Sequence, residues 1–174
     1  MDQRSDIDLV GATRQGDRAA YAVLVRRYYS QVFLVCLGVL GNTHDAEDVA
    51  QDAMLKGLEK IRQLRDAGQF GHWIVKVAKN LSINSVRKRA ATERATDRKY
   101  DVSSGATTAT DDLQQAVARL PWDLRLPLVM YYLDGRSVKN VAETLDMSTS
   151  GVYAKLRTAL KELHDILTAS GETP

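Results

Sequence analysis

Apolar residues recur at three- and four-residue steps through both halves of this chain, and only three prolines interrupt its 174 residues. That period belongs to helices that bury one face. β-branched runs are rare and turn signals sparse, so a β-sandwich or barrel is excluded and the fold class is all-α. Ala46, Val49, Ala50, Ala53, Met54, Leu58 and Ile61 form one apolar stripe; Phe70, Trp73, Ile74, Val77, Ala78 and Leu81 form another. Before them, Ala19, Val23, Leu24 and the run 28–40 make an apolar arm. It is broken by Gly41, with Asn42 or Thr43 placed to cap the next helix.

The stretch 91–110 has little to bury, and its second half is rich in Ser, Thr and Gly, the composition of a flexible linker. It divides the chain into helical modules at 1–90 and 111–174. Charge divides with them. Residues 1–90 are net +4, residues 91–110 neutral and residues 111–174 net −2, within an overall +2. A uniformly basic coat is excluded, and contact with nucleic acid has to come from a local patch.

Such a patch is visible on the helix predicted over 70–89. Lys76, Lys79, Asn80, Asn84, Arg87 and Lys88 recur at helical steps on its polar side, with no acid in the segment. Solvated faces ordinarily mix both signs, whereas a cationic stripe suits a track of phosphates. In the second module, Pro121 punctuates two apolar segments and Asp134-Gly135 ends the second. Ser137 is placed to cap a short helix containing Val138, Val141, Ala142 and Leu145. Asp146-Met147-Ser148 then turns, and Ser148 or Ser150 caps a last helix with Val152, Leu156, Leu160 and Leu163. This is helix-turn-helix spacing, a geometry that presents the second helix to a major groove or makes a plain helical corner. Asp146 stands where such turns need a left-handed residue, which Asp tolerates better than most.

Other chemistries lack their residues. His44, His72 and His164 lie far apart, and there is no phosphate-cradling Gly loop, Cys-x-x-Cys or Ser/His/Asp set. Asp45, Glu47, Asp48 and Asp52 are spaced for a helix face that meets solvent or a partner rather than for a metal. No catalytic residue, metal or cofactor is expected. The single cysteine, Cys36, sits in an apolar run as a small buried hydrophobe. The N-terminal residues lack a signal-peptide core, and the apolar run 32–40 falls short of the ~20 residues of a membrane span. A cytoplasmic protein without membrane insertion is expected.

Three blocks of the first module, Leu24-Val25-Arg26-Arg27-Tyr28-Tyr29, the run 40–52 containing Asp45-Ala46-Glu47-Asp48 and Gln51-Asp52, and 73–80, resemble region 2 of bacterial sigma factors. Leu120-Pro121, Leu133-Asp134-Gly135-Arg136-Ser137 and the run 141–148 resemble region 4. Two such modules on a short linker look like the extracytoplasmic-function group of the sigma-70 family. That resemblance implies an initiation factor that binds core RNA polymerase, recognises −10 and −35 promoter elements and promotes strand opening. It implies core polymerase, promoter DNA and an anti-sigma factor as partners. Residue by residue, it implies polymerase contact through Asp45, Asp48, Gln51, Asp52 and Lys56. It implies −10 contact, including a pocket for a flipped base, through Arg65, Gln69, Lys76, Lys79, Asn80, Asn84, Arg87 and Lys88. For the −35 element it implies Arg136, Ser148, Thr149, Ser150, Tyr153, Lys155 and Arg157. The last helix is less basic than the family's, with Thr158 and Leu160 where Lys or Arg is common. A stand-alone helix-turn-helix regulator and a sigma mimic that sequesters an anti-sigma factor remain as other readings.

Overall fold

The computed structural model describes residues 3–96 and 109–171, and its described elements are helical throughout. The order is α1 (Asp6–Arg14), α2 (Arg18–Leu40), α3 (Thr43–Lys60), α4 (Phe70–Thr96), α5 (Ala109–Arg119), α6 (Trp122–Leu128), α7 (Val138–Leu145) and α8 (Thr149–Gly171). Most of the stretch read as a linker, 97–108, lies outside the described residues.

Local chemistry sets the boundaries. Asp17 and Asn42 cap α2 and α3 through their side chains. Gly41 closes α2 at φ 78°, in the left-handed region that a glycine enters without penalty. α1 was not read from the pattern. It starts at a capping box, Ser5 accepting from the Asp8 N–H while the Asp8 carboxylate accepts from the Ser5 N–H. In α6, Pro127 has no N–H for the helix ladder, and the chain runs on through a single π turn, Val129–Leu133.

The apolar arm is one 23-residue helix, α2. The run 32–40 thus understated it: by length and composition α2 suffices to cross a bilayer. In this fold it instead forms the centre of the packing, touching α1, α3, α4 and α6. Leu24, Val32, Val35 and Cys36 are fully buried along it. Phe70 anchors α4 with no exposed surface, ringed by Tyr21, Tyr28 and Trp73 at centroid distances of 6.4, 5.5 and 5.9 Å.

The second module packs on the first through α6. Gly38 lets the two backbones approach: a β-carbon there would stand 3.1 Å from Leu126 Cα. Arg125, 6% exposed, donates from Nε to the Gly38 carbonyl at 2.9 Å and from Nη2 to Val39 at 2.7 Å. Its Nη1 donates to the carbonyls of Leu120, at 3.1 Å, and Ala118. One guanidinium therefore satisfies carbonyls at the C-terminal ends of α2 and α5, where helix dipoles favour a cation. Burial pulls its pKa below the usual arginine value.

Candidate nucleic-acid interface

α4 aligns the cationic stripe. Its apolar side is pinned by Phe70, Ile74, Val75 and Ala78, all fully buried, which turns Lys76, Asn80, Asn84, Arg87 and Lys88 outward. Arg65 and Gln69 are exposed on the approach to its N-terminus, where Asp66 caps the short turn Ala67–Gln69 through the Gly68 N–H. The stripe is open over its C-terminal half. The side chains of Asn84, Arg87 and Lys88 make no ion pair or hydrogen bond among the described residues.

Its N-terminal half is engaged. Lys79 is 9% exposed and donates from Nζ to the Thr144 carbonyl at 2.9 Å. The Asp146 carboxylate stands 3.1 Å from Lys76 Nζ and 3.5 Å from Lys79 Nζ. The Lys76 hydrogen bond, with the charges of both lysines, holds the Asp146 carboxyl below the ordinary carboxylate value. Asn80, one residue on, stays exposed.

The helix-turn-helix forms as its spacing suggests. Ser137 caps α7, accepting from the Asn140 N–H at 3.2 Å. Asp146 takes φ 55°, the left-handed conformation expected of it. Ser148 accepts from the Gly151 N–H at the start of α8. Val141, Ala142, Val152 and Leu156 close the angle between the helices. Thr149, Ser150, Tyr153 and Arg157 are exposed at and after the N-terminus of α8, a surface with few cations. Two residues from the −35 set stand apart. Arg136 pairs with Asp134 and donates to Gln31 Oε1 of α2 at 2.8 Å, so it faces the first module. Lys155 is half-buried against Asp123 at 2.7 Å.

On α3, Asp48, Gln51, Asp52 and Lys56 are exposed, with His44 4.0 Å from Asp48. Asp45 is partly buried and paired within the chain instead. Burial raises its pKa, but hydrogen bonds from Arg89 and Asn42, with the Arg89 charge, outweigh that and leave it below the usual value. The pattern reading passed over Leu55, 62% exposed beside Gln51 and lining a hollow between α2 and α3 with Arg26, Tyr29 and Met54. Its signal was a leucine among polar neighbours, out of phase with the buried stripe.

Two family models match the chain: sigma-70 region 2 over residues 24–92 and sigma-70 region 4 over residues 110–163. Relatives share about a quarter of their residues with it. The ECF RNA polymerase sigma factor SigW of Bacillus subtilis is 29% identical over 88% of this chain and 94% of that protein. The ECF RNA polymerase sigma-E factor of Escherichia coli is 26% identical over 89% and 90%. Among solved structures, the sigma factor RpoE bound to the anti-sigma factor NepR, from Bartonella quintana, has a TM-score of 0.71 at 16% identity, covering 85% of this chain and 96% of that one. CnrH in complex with the cytosolic domain of CnrY has a TM-score of 0.68 at 20% identity, covering 95% and 99%. These two likenesses are of fold.

Proposed function

The chain belongs to the sigma-70 family, in its extracytoplasmic-function group of non-enzymatic initiation factors, and on that premise we propose how its two modules divide promoter-directed initiation. Residues 1–90 dock on core RNA polymerase and engage the −10 element, residues 111–174 meet the −35 element, and 91–110 connect them. The cytoplasm, where polymerase and promoter meet, is the place of action.

The observation that carries this reading is an acid-free stripe on α4 in the same chain as an exposed recognition helix, α8. Arg87 and Lys88 neutralise phosphates of the opened strand. Asn80 offers both a donor and an acceptor to a base edge, with Arg65 and Gln69 on the approach to its helix. A base drawn out of the duplex costs a few kcal/mol, which contacts in such a pocket must offset. Ser150, Tyr153 and Arg157 meet the duplex at −35. With few cations on that helix, affinity there comes largely from tethering to polymerase. Asp48, Gln51, Asp52 and Lys56 form a mixed polar face suited to a partner rich in Arg, through charge-assisted hydrogen bonds. RpoE is bound by the anti-sigma factor NepR and CnrH by the cytosolic domain of CnrY, and this chain is held by an anti-sigma factor in its turn.

Transcription by core polymerase, with and without the chain, tests the reading on a duplex promoter and on the same promoter premelted at −10. Initiation that needs the chain on duplex is expected. Specific duplex binding without polymerase would favour a stand-alone regulator, and capture of an anti-sigma factor with no transcription would favour a mimic.

A further inference from the structure

Between α3 and α4 the chain makes two short turns, Ile61–Gln63 and Ala67–Gln69, with Arg65 in the stretch that joins them. Each turn closes on itself: the Leu64 N–H donates to the Ile61 carbonyl at 3.4 Å and the Gln69 N–H to the Asp66 carbonyl at 3.1 Å. No backbone hydrogen bond ties one turn to the other among the described residues. How Arg65 and Gln69 stand relative to each other is therefore set from outside the loop, and the element that reaches both turns is α1.

Arg14, the last residue of α1, donates from Nε to the Ile61 carbonyl at 3.2 Å and from Nη2 to the Leu64 carbonyl. One planar fork thus spans the first turn from end to end. The Leu64 carbonyl belongs to the peptide plane that leads into Arg65, so holding it fixes the direction in which Arg65 leaves the turn. Arg62 returns a bond, from Nη2 to the Arg14 carbonyl at 3.4 Å. At the other end of α1, Ile7 lies over the second turn: a β-carbon on Gly68 would stand 3.9 Å from Ile7 Cδ1. Asp6 accepts from the Tyr28 hydroxyl, and the Tyr28 ring occupies the space beside Gly71 where α4 begins. We infer that α1 is a splint for the loop, with Arg14 and Ile7 as positioning residues that set −10 base selectivity through Arg65 and Gln69 without touching nucleic acid. The inference rests on the promoter reading of Arg65 and Gln69.

Two variants that leave the charge unchanged test it. Arg14→Lys keeps the cation but cannot hold both carbonyls. Ile7→Ala frees the second turn, and Ile7 is 60% exposed, so the core should tolerate its loss. Each full-length variant is assayed with core polymerase on a promoter premelted at −10 and varied one base at a time. The readout is the ratio of transcript from the best and the worst base at each position. Melting temperature, pull-down of core polymerase and the salt dependence of promoter binding are measured alongside. Arg14→Lys should lower the ratio at the position read by the loop about fivefold or more, and Ile7→Ala by less. Polymerase binding and the salt slope should stay native, since no phosphate contact is lost. In an Arg65→Ala, Gln69→Ala background, where that selectivity is already gone, Arg14→Lys should lower it no further.

Folded variants that both keep the native ratio overturn the splint. So does an equal loss at every base, the mark of a merely structural effect, or a further loss in the Arg65→Ala, Gln69→Ala background, the mark of a route that bypasses the loop. If Arg14→Lys does not fold, Ile7→Ala decides alone. Failure of the promoter reading looks different: the native chain then prefers no base at −10, or Arg65→Ala with Gln69→Ala leaves the preference intact, and the splint falls with it.

Discussion

The guanidinium of Arg125 fills the space beside Gly41: a β-carbon built on Gly41 would stand 2.7 Å from Nη1. Two sequence features 84 positions apart are thus one structural unit. The bare turn that ends α2 leaves room for the cation that caps α2 from the other module.

Removing that cation should loosen the whole chain. Arg125→Met leaves the carbonyls of Gly38, Val39, Ala118 and Leu120 without this donor in a largely buried site. A loss of about 2–5 kcal/mol in urea unfolding is expected, as for other buried charge-assisted bonds. Arg125→Lys should recover only part, since a single ammonium cannot span two helix ends. A midpoint unchanged in Arg125→Met would show that these bonds contribute nothing net.

The acidic face of α3 divides into two kinds of carboxylate. Asp48→Ala with Gln51→Ala should weaken binding to core polymerase by about 2–5 kcal/mol if both are desolvated there, and leave the melting temperature unchanged. Asp45→Asn should do the reverse. Its partner is Arg89 of the same chain, partly exposed, so a stability loss of no more than about 1 kcal/mol is expected, with polymerase binding intact. Pull-down of core polymerase alongside thermal melts separates the two. Unchanged pull-down by the folded double variant defeats the docking assignment.

These contrasts mark what the sequence could disclose. Helix faces, the caps at Asn42, Ser137 and Ser148, and the left-handed Asp146 were all legible, because each depends on residues within one or two turns. α1 was equally local and was missed although Ser5 and Asp8 spell its capping box. Arg125 was not legible. It interrupts the apolar run Leu124 to Leu128 as any surface arginine would, and two of its acceptors lie 86 and 87 positions earlier. Lys79 was placed on the polar side of α4 by its spacing, yet its burial comes from Thr144, 65 residues on. Periodicity reports which way a side chain points, and says nothing of what a second module lays over it.

Alkali should destabilise the fold from about pH 9 upward. Burial pushes the Cys36 thiol from 9.0 up to about 11 and the Tyr21 phenol from 10.0 to about 12. Tyr28 also rises to about 12, through burial first and then its bond to the Asp6 carboxylate. In each case the unfolded group ionises first and the folded one holds its proton. Stability is therefore full below pH 9 and falls as pH climbs toward 12. Melting temperatures across pH 8–11 check this, and a flat profile above pH 9 contradicts it. At pH 8, Cys36 in the folded chain should react with a disulfide reagent at least about a hundredfold more slowly than in urea, being both buried and short of thiolate.

Asn80 and the cations beyond it should fail in different ways. Arg87→Ala or Lys88→Ala each removes a phosphate partner. Binding to −10 single strands should weaken by a similar factor for every sequence, and the salt slope should drop by about 0.7 per residue. Asn80→Ala removes a group with a donor and an acceptor that can match one base edge and not another. Its effect should concentrate on one −10 position, worth about 1–3 kcal/mol there and little elsewhere, with the salt slope unchanged. The position of Asn80 supports the distinction: it is exposed one residue beyond Lys79, beside the covered end of the stripe and clear of Arg87 and Lys88. The measurement is start-site selectivity and strand affinity over a panel of single-base −10 variants, made with core polymerase present. If Asn80→Ala lowers all members of the panel equally and flattens the salt dependence, Asn80 is one more backbone contact. Base selectivity would then have to come from Arg65 and Gln69 on the approach to the helix.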